Sequence, residues 1–354
     1  MKNQCPALSE NNPALSQPEF FSAELLRQAT TTTCKTPAGE SADTAAVKES
    51  VITPPNPPRL AYHNQENDIR LYHGDCLDLL DAIAAQYPDG CFDMVFADPP
   101  YFLSNNGSTC KGGQRVSVNK GQWDKSRGLR ADFKFTRAWL RRVKRALNPG
   151  GTIWVSGTQH SIHVVGFVLQ SLKFRILNDI TWEKMNPPPN LACRQFTHST
   201  ETLIWAARDE GTDHIFNYDL MRRINRGAQM QSVWRMNAPT PDEKVFGEHP
   251  TQKPVALITR CLLAATCEGE WVFDPFLGSG TTAIACQRNR RRFVGIDLSG
   301  SYLDIAAARI RAESGQGVDL FETGLENQLP ADSSSHNRLA RNFKPETFTF
   351  PGIS

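Results

Sequence analysis

The stretch that decides the fold of this chain is VFDPFLGSGTT, at residues 272–282. An apolar run ends there in Asp274, a glycine-containing turn follows, and a helical pattern begins at Thr281. A glycine turn between a strand and a helix lets a ligand approach the backbone and the free amide groups of the helix, so it is typical of nucleotide-like binding sites. Because no Lys follows the glycines, the stretch is not a phosphate-gripping P-loop.

The same strand-then-helix order is repeated on both sides of this stretch. Apolar runs predict strands at residues 69–73, 92–97, 151–157, 179–182, 202–206, 271–274 and 293–297. Helical periodicity predicts helices over residues 77–85, 132–147, 161–172, 255–267 and 281–289. The alternation predicts an α/β fold with a doubly wound, mostly parallel sheet of the Rossmann-like type, with ligands at the carboxyl ends of its strands.

Composition divides the 354 residues into three parts. Residues 1–58 are rich in Thr, Ala, Pro and Ser and close with PPNPP, which predicts a disordered extension. Residues 59–320 carry the periodic segments and are predicted to form the folded domain. Residues 321–354 lose the periodicity again and include a serine-rich run, which predicts a second disordered tail.

The cysteines and the apolar runs indicate a reduced, cytoplasmic protein. The nine cysteines are odd in number and never form a CxxC pair, which argues against a disulfide framework and a zinc knuckle. No run approaches the roughly 18 apolar residues needed to span a bilayer, and the N-terminus lacks the order of a signal peptide. These two features predict no membrane partner. His160 and His163 resemble no metal site, so we expect no bound metal.

A net charge of +2 conceals a strongly basic segment. Between residues 102 and 150, twelve Lys and Arg face only two Asp. The predicted helix in this segment is apolar on one side and basic on the other, which for an isolated helix is better explained by a solvated face. Together with the basic loop before it, the pattern favours a polyanion-binding surface in which Arg141 and Arg142 contact phosphates.

A second strand end is punctuated by DPPY, at residues 98–101. Two successive prolines cannot extend a strand ladder, so the chain turns here. Asp98 and the Pro99 carbonyl offer two acceptors that match the two hydrogens of an exocyclic amine, and Tyr101 offers a flat face to a planar base. The alternative is that Asp98 only caps the turn. In a parallel sheet DPPY lies beside the glycine turn, which favours group transfer to an amine.

A third acid, Asp297, ends the strand that follows the glycine turn. It lies about 20 residues beyond Asp274, the separation at which dinucleotide-binding folds place the carboxylate that binds ribose. The glycine turn alone is weak evidence for a ligand, and Asp297 strengthens it.

Three motifs, in this order, resemble the β-class amino-methyltransferases of DNA: DPPY at 98–101, HPTQKP at 249–254 and DPFLGSGTT at 274–282. Within that class, DPPYFLSN, ITWEKMNPPPN and RQFTHSTETLIWA are similar to the adenine methyltransferases of DpnII-type restriction systems. The resemblance covers nearly the whole folded region. It implies S-adenosylmethionine as cofactor, S-adenosylhomocysteine as product, and the N6 amine of a flipped or single-stranded adenine as methyl acceptor.

The resemblance also implies roles for the residues that match. The catalytic group that would bind the adenine and orient its amine is Asp98, Pro99, Pro100 and Tyr101. The cofactor-binding group is Asp75, Cys76, Thr251, Lys253, Asp274, Phe276, Gly278, Ser279, Gly280, Thr281 and Asp297. No metal is implied.

The resemblance also implies that residues 59–320 form a methyltransferase domain, with an inserted target-recognition region at about 207–246. That region carries Arg, Asn and Gln side chains suited to reading base edges. The expected partner is double- or single-stranded DNA, and GATC is the site that the DpnII-type resemblance suggests. The resemblance is also compatible with a homodimer and with a cognate restriction endonuclease encoded alongside.

Two other readings stay open at this point. The first keeps the fold and changes the acceptor to cytosine N4, or to an amine of RNA or a protein glutamine. In the families concerned, an acid in the first position of the tetrapeptide accompanies mostly adenine, which favours adenine here. The second is a non-catalytic DNA-binding module, against which the intact DPPY and GSGTT motifs count.

Overall fold

The computed structural model describes residues 57–102, 108–111, 114–117, 124–190, 193–247 and 249–313. Nearly all of the predicted N-terminal extension and the whole of the predicted C-terminal tail lie outside the described residues. The domain boundaries and the disorder of both ends therefore stay predictions.

Eleven strands and seven α-helices are present in the described part of the chain. The strands are β1 Arg59–Asn64, β2 Ile69–His73, β3 Phe92–Ala97, β4 Ser108–Lys111, β5 Gln114–Ser117, β6 Leu147–Gly157, β7 Arg175–Lys184, β8 Thr200–Ala207, β9 Val233–Met236, β10 Trp271–Asp274 and β11 Arg292–Asp297. The helices are α1 Cys76–Gln86, α2 Leu129–Ala146, α3 Ile162–Ser171, α4 Tyr218–Ile224, α5 Val255–Ala265, α6 Thr281–Arg288 and α7 Gly300–Glu313.

Nine of the strands form one sheet, in the order β1-β2-β11-β10-β3-β6-β8-β7-β9. The five strands from β2 to β6 in this order are mutually parallel. β1 is antiparallel to β2, and β8 runs antiparallel to both β6 and β7. β9 adds to the far edge, parallel to β7. The predicted α/β class with a mostly parallel sheet is confirmed.

The helices cover both faces of the sheet because each presents one apolar side to it. One core joins residues of α1, α2 and α3 to one face of the strands, and the other joins residues of α5, α6 and α7 to the opposite face. The parallel strands are buried on both sides, which is why they read as continuous apolar runs in the sequence. The turns that leave β2, β3, β10 and β11 consequently meet at one edge of the sheet.

Several element boundaries differ from the prediction. β6 begins at Leu147, which pairs with Phe92 before a register shift. The prediction placed the start of this strand at residue 151, after the Pro-Gly pair at residues 149–150. β7 begins at Arg175, earlier than predicted. Its pairing with β8 is irregular between Ile176 and Asn178, which breaks the alternation that would mark the start of the strand in the sequence. Within the described residues, no helix is both long and apolar enough to cross a bilayer.

Candidate active site

A cavity of about 690 Å³ opens at the carboxyl edge of the parallel strands. Its lining includes the turn after β2, the DPPY turn after β3, the HPTQKP segment before α5, the glycine turn after β10 and the turn after β11. Of the residues predicted for the catalytic and cofactor groups, only Gly280 is absent from the lining. The structure therefore brings the predicted site residues together.

The glycine turn is held by two carboxylates. Asp274 accepts hydrogen bonds from the Phe276 amide at 2.9 Å and from the Thr282 hydroxyl at 2.6 Å. Asp297 accepts from the Gly278 amide at 2.8 Å, which joins the ends of β10 and β11. Burial raises the pKa of Asp274 to about 7. Asp274 thus shapes the turn and lines the cavity, and its place in a cofactor-binding loop stays a prediction.

Asp75 has a similar structural bond at the start of α1. Its carboxylate accepts from the Leu77 amide at 2.8 Å and so caps the helix. Cys76 follows as a buried residue, and burial raises the pKa of its thiol far above the ordinary value. Both residues line the cavity, as predicted, but the thiol is not a nucleophile.

The packing between the glycine turn and α7 depends on the absence of a side chain at Gly280. Its φ is +81°, and a Cβ there would lie 2.7 Å from the Ala306 Cβ of α7. We expect Gly280→Ala to lower the free energy of unfolding by roughly 2–5 kcal/mol, from the left-handed backbone and the overpacking together. Calorimetric titration should show that the variant binds S-adenosylhomocysteine at least about tenfold more weakly, because a loss of about 1.4 kcal/mol in binding free energy lowers affinity tenfold. Gly300→Ala, where a Cβ meets nothing within 4 Å, is the control; equal effects would contradict the prediction.

Both oxygens of Asp98 accept hydrogen bonds from side chains. The hydroxyls of Tyr101 and Ser156 donate to Oδ1, each at 2.5 Å. The Lys253 ammonium donates to Oδ2 at 2.6 Å. Burial opposes ionisation, but Lys253 and the two hydroxyls outweigh it and hold the pKa of Asp98 below its ordinary value. Asp98 is therefore a buried, ionised acceptor.

A second carboxylate, Glu201 at the start of β8, extends this arrangement. Its Oε1 accepts from Lys184 at 2.5 Å, and its Oε2 lies 3.6 Å from the Lys253 nitrogen. Lys184, Glu201, Lys253 and Asp98 thus form a line of alternating charge, which we name the charged row. Burial would raise the pKa of Glu201, but the two lysines lower it overall. The two carboxylates raise the pKa of Lys253 in spite of burial.

Tyr101 is enclosed by the charged row. Only 5% of its surface is exposed, and the Lys253 ammonium lies 5.2 Å from the centre of its ring. Burial and the neighbouring carboxylates of Asp98 and Glu201 raise its pKa well above 10, so the hydroxyl remains a donor. The backbone of the turn is fixed as well, because Asp124 accepts from the Tyr101 amide at 2.9 Å.

A smaller cavity of about 290 Å³ shares Tyr101 and Lys253 with the larger one. Trp182, Lys184 and Glu201 contribute to its wall, whereas Asp98 lines only the larger cavity. Tyr101 and Lys253 therefore form a wall common to two spaces, as a transfer between two bound molecules requires.

Comparison with known proteins agrees with this geometry. The family model N6_N4_Mtase, described as DNA methylase, matches residues 92–308. The chain belongs to this DNA methylase family. Type II methyltransferase M2.DpnII of Streptococcus pneumoniae is 48% identical to the methylase over 254 residues, which are 72% of this chain and 93% of the relative. M2.MboI of Moraxella bovis is 43% identical, over 76% of this chain and 97% of the relative.

Solved structures show the same fold. The M1.HpyAVI–SAM complex superposes on the methylase with a TM-score of 0.53 and 25% identity, covering 68% of this chain and 98% of that one. The cytosine-N4-specific PvuII DNA methyltransferase gives a TM-score of 0.54 at 16% identity, covering 80% and 95%, which is a likeness of fold alone. The resemblance drawn from the motifs is confirmed, and the chain is a DNA methyltransferase.

Three residues of the methylase's site were not predicted from the sequence: Ser156, Lys184 and Glu201. Lys184 and Glu201 stand in the motifs ITWEKMNPPPN and RQFTHSTETLIWA, which were matched without a role for either residue. Glu201 gave a usable signal, since it is the one charged residue of the otherwise largely apolar strand β8, whereas Lys184 ends a strand that carries other charged residues. Lys253 was assigned to the cofactor side, and the structure adds its bond to Asp98.

The C-terminal half of the basic face of α2 lies away from the methylase's cavity, whereas its first turns line the cavity. α2 leads directly into β6, so its last turn is at the amino edge of the sheet, opposite the site. There Arg142 donates to Asp81 of α1 at 2.9 and 2.8 Å. The geometry argues against the expected phosphate contacts of Arg141 and Arg142. Lys125 and Arg127, which are exposed and line the cavity, are better placed for that role.

Proposed function

We propose that this methylase is a site-specific adenine-N6 DNA methyltransferase of a restriction–modification system. The observation that carries the proposal is the ionised carboxylate of Asp98 on the DPPY turn, in the wall of the larger cavity and bonded to Lys253. The methyl donor is S-adenosylmethionine and the product is S-adenosylhomocysteine. GATC is the proposed target site, on the resemblance to DpnII-type systems. The enzyme acts in the cytoplasm.

The larger cavity suits the cofactor. Asp297 keeps carboxylate lone pairs beyond its bond to Gly278 and is proposed to accept from the ribose hydroxyls. Asp75 is proposed to lie near the cofactor's adenine, and the turn at Gly278 and Ser279 to take its methionine end. Thr251 lines the opposite wall. When bound, S-adenosylmethionine supplies a methyl group on a positively charged sulfur with a neutral leaving group.

The protein's task is then to position and polarise an amine. Asp98 and the Pro99 carbonyl accept the two amine hydrogens, which turns the nitrogen lone pair away from them and toward the methyl group. As the nitrogen attacks, positive charge develops on it, and the fixed negative charge of Asp98 stabilises that charge. The nitrogen–carbon bond would form as the carbon–sulfur bond breaks, and the methylated nitrogen would then release one proton to water. Orientation of this kind is worth roughly 7–11 kcal/mol of the barrier. No covalent intermediate with the protein is needed.

The adenine must leave the base stack before it reaches Asp98. Extrusion costs a few kcal/mol in a duplex and less in a single strand. We propose that the base enters from the side of the smaller cavity, whose wall includes Tyr101 and Trp182. A planar base there would have aromatic neighbours and the charged row at its polar edge.

Identification of the methylated base tests the proposal. The purified full chain is incubated with methyl-labelled S-adenosylmethionine and unmethylated single- or double-stranded DNA, which is then digested to nucleosides. Label in N6-methyladenine is the expected result, and mapping of the modified sites gives the recognition sequence. Label in N4-methylcytosine would replace adenine with cytosine, and label confined to RNA or protein would refute a DNA substrate.

A restriction endonuclease partner and a homodimer are further proposals, suggested by the Type II relatives. DNA methylated by this enzyme should resist cleavage by an endonuclease encoded alongside it. Sedimentation of the purified chain gives its oligomeric state, and a monomer at micromolar concentration would refute the homodimer.

Lys125 and Arg127 should contribute to the salt dependence of DNA binding. Each phosphate contact changes the slope of log K against log salt concentration by about 0.9 on duplex DNA. Replacing both residues with Ala should therefore flatten the slope by about 2 while weakening binding evenly across sequences. Arg141→Ala, an exposed arginine at the far edge, is the control. A flatter slope in the control alone would restore the phosphate role of α2.

A further inference from the structure

Asp98 and Glu201 compete for one cation. The Lys253 nitrogen is bonded to Asp98 Oδ2 at 2.6 Å and lies 3.6 Å from Glu201 Oε2. The other Asp98 oxygen already accepts from Tyr101 and Ser156. Oδ2 keeps one lone pair, so an adenine amine that binds there competes with the Lys253 ammonium for a single oxygen.

We propose that Glu201 is a positioning residue, which takes over the Lys253 ammonium when the substrate amine binds Asp98. The proposal rests on the proposed function. Shortening the Lys253–Glu201 distance to that of a charge-assisted hydrogen bond, about 2.8 Å, requires a movement of under an ångström. Lys253 stays paired with a buried carboxylate throughout, so the exchange leaves no buried charge without a partner.

Lys184 prepares Glu201 for this role. It bonds the opposite oxygen, Oε1, at 2.5 Å, and so fixes the carboxylate with Oε2 directed toward Lys253. An ammonium has three donors, which lets Lys253 turn between the two carboxylates without losing its hydrogen bonds. The two carboxylates also raise the pKa of Lys253, which keeps it cationic in both positions.

A double-mutant cycle separates this role from a purely structural one. Glu201→Gln should lower kcat/KM by about 100-fold, the scale of an ångström-sized misplacement at a reacting group. In a Lys253→Met background the same change should alter kcat/KM by less than about threefold, because Glu201 acts through Lys253. Additive losses would overturn the proposal. Cofactor titration and near-ultraviolet circular dichroism verify that each variant is folded.

Glu268→Gln is the matched control for the cycle. Glu268 is exposed in the turn between α5 and β10 and lines neither cavity. Its replacement should leave kcat/KM unchanged. An inactive wild-type enzyme would refute the proposed function itself, whereas additive losses on an active one refute only the role of Glu201.

A structure with S-adenosylhomocysteine and adenine-containing DNA gives a second readout. The Lys253 nitrogen should then lie within hydrogen-bonding distance of Glu201 and beyond it from Asp98. An unchanged bond from Lys253 to Asp98, with the amine bound elsewhere, would overturn the proposal.

Discussion

Asp98→Ala is expected to abolish methyl transfer to DNA while S-adenosylhomocysteine still binds. The change removes the acceptor of the amine and the charge that stabilises the transition state, and a loss of about 10³-fold or more in kcat/KM follows. Transfer of label to DNA measures the first effect, and calorimetric titration measures the second.

The controls for this variant separate shape from charge. Asp98→Asn keeps an oxygen at the site and removes the negative charge, so it should be nearly as inactive as Asp98→Ala. Asp304→Ala removes an exposed carboxylate from α7 and should keep wild-type activity. If Asp98→Ala retained a tenth of the activity, another group would have to orient the amine.

Lys253→Met should destabilise the protein strongly at neutral pH. It leaves Asp98 and Glu201 buried without the cation they share. Breaking a buried ion pair by removing one partner costs about 3–5 kcal/mol. Urea unfolding at pH 7.5 measures this loss, and Lys134→Met, which removes an exposed lysine from α2, is the control.

The pH dependence of the loss has a definite sign. In the wild type the pKa values of Asp98 and Glu201 are lowered, so their contribution to stability is present above the unfolded values and lost as the pH falls. Without Lys253 the two carboxylates protonate more readily. The difference in unfolding free energy between wild type and Lys253→Met should therefore shrink from pH 7.5 toward pH 4. A constant difference would mean that Lys253 contributes packing instead of charge.

The parallel core of the fold was predictable because its strands are buried on both faces and read as apolar runs. β1 was not predicted, since most of its residues are exposed and it pairs only at the sheet edge. β9 is four residues long and follows a segment without periodicity, so nothing in the local pattern marks it as a strand.

The rim of the site was predictable for a related reason. Motifs that interrupt an apolar strand mark its carboxyl end, and parallel strands bring those ends together. The charged row was not predictable from the sequence, because Lys184 and Glu201 meet Lys253 only through the antiparallel placement of β7 and β8 beside β6. Local patterns carry no information on that pairing.

The pairing of β9 with β7 ties two tasks of the enzyme to one backbone ladder. Lys184 is the register partner of Met236, and Arg235 stands opposite Glu183. The segment between β8 and β9, which we predict reads the DNA, is therefore anchored beside a member of the charged row. We expect a displacement of β9 to move Lys184 as well, because the two strands share backbone hydrogen bonds.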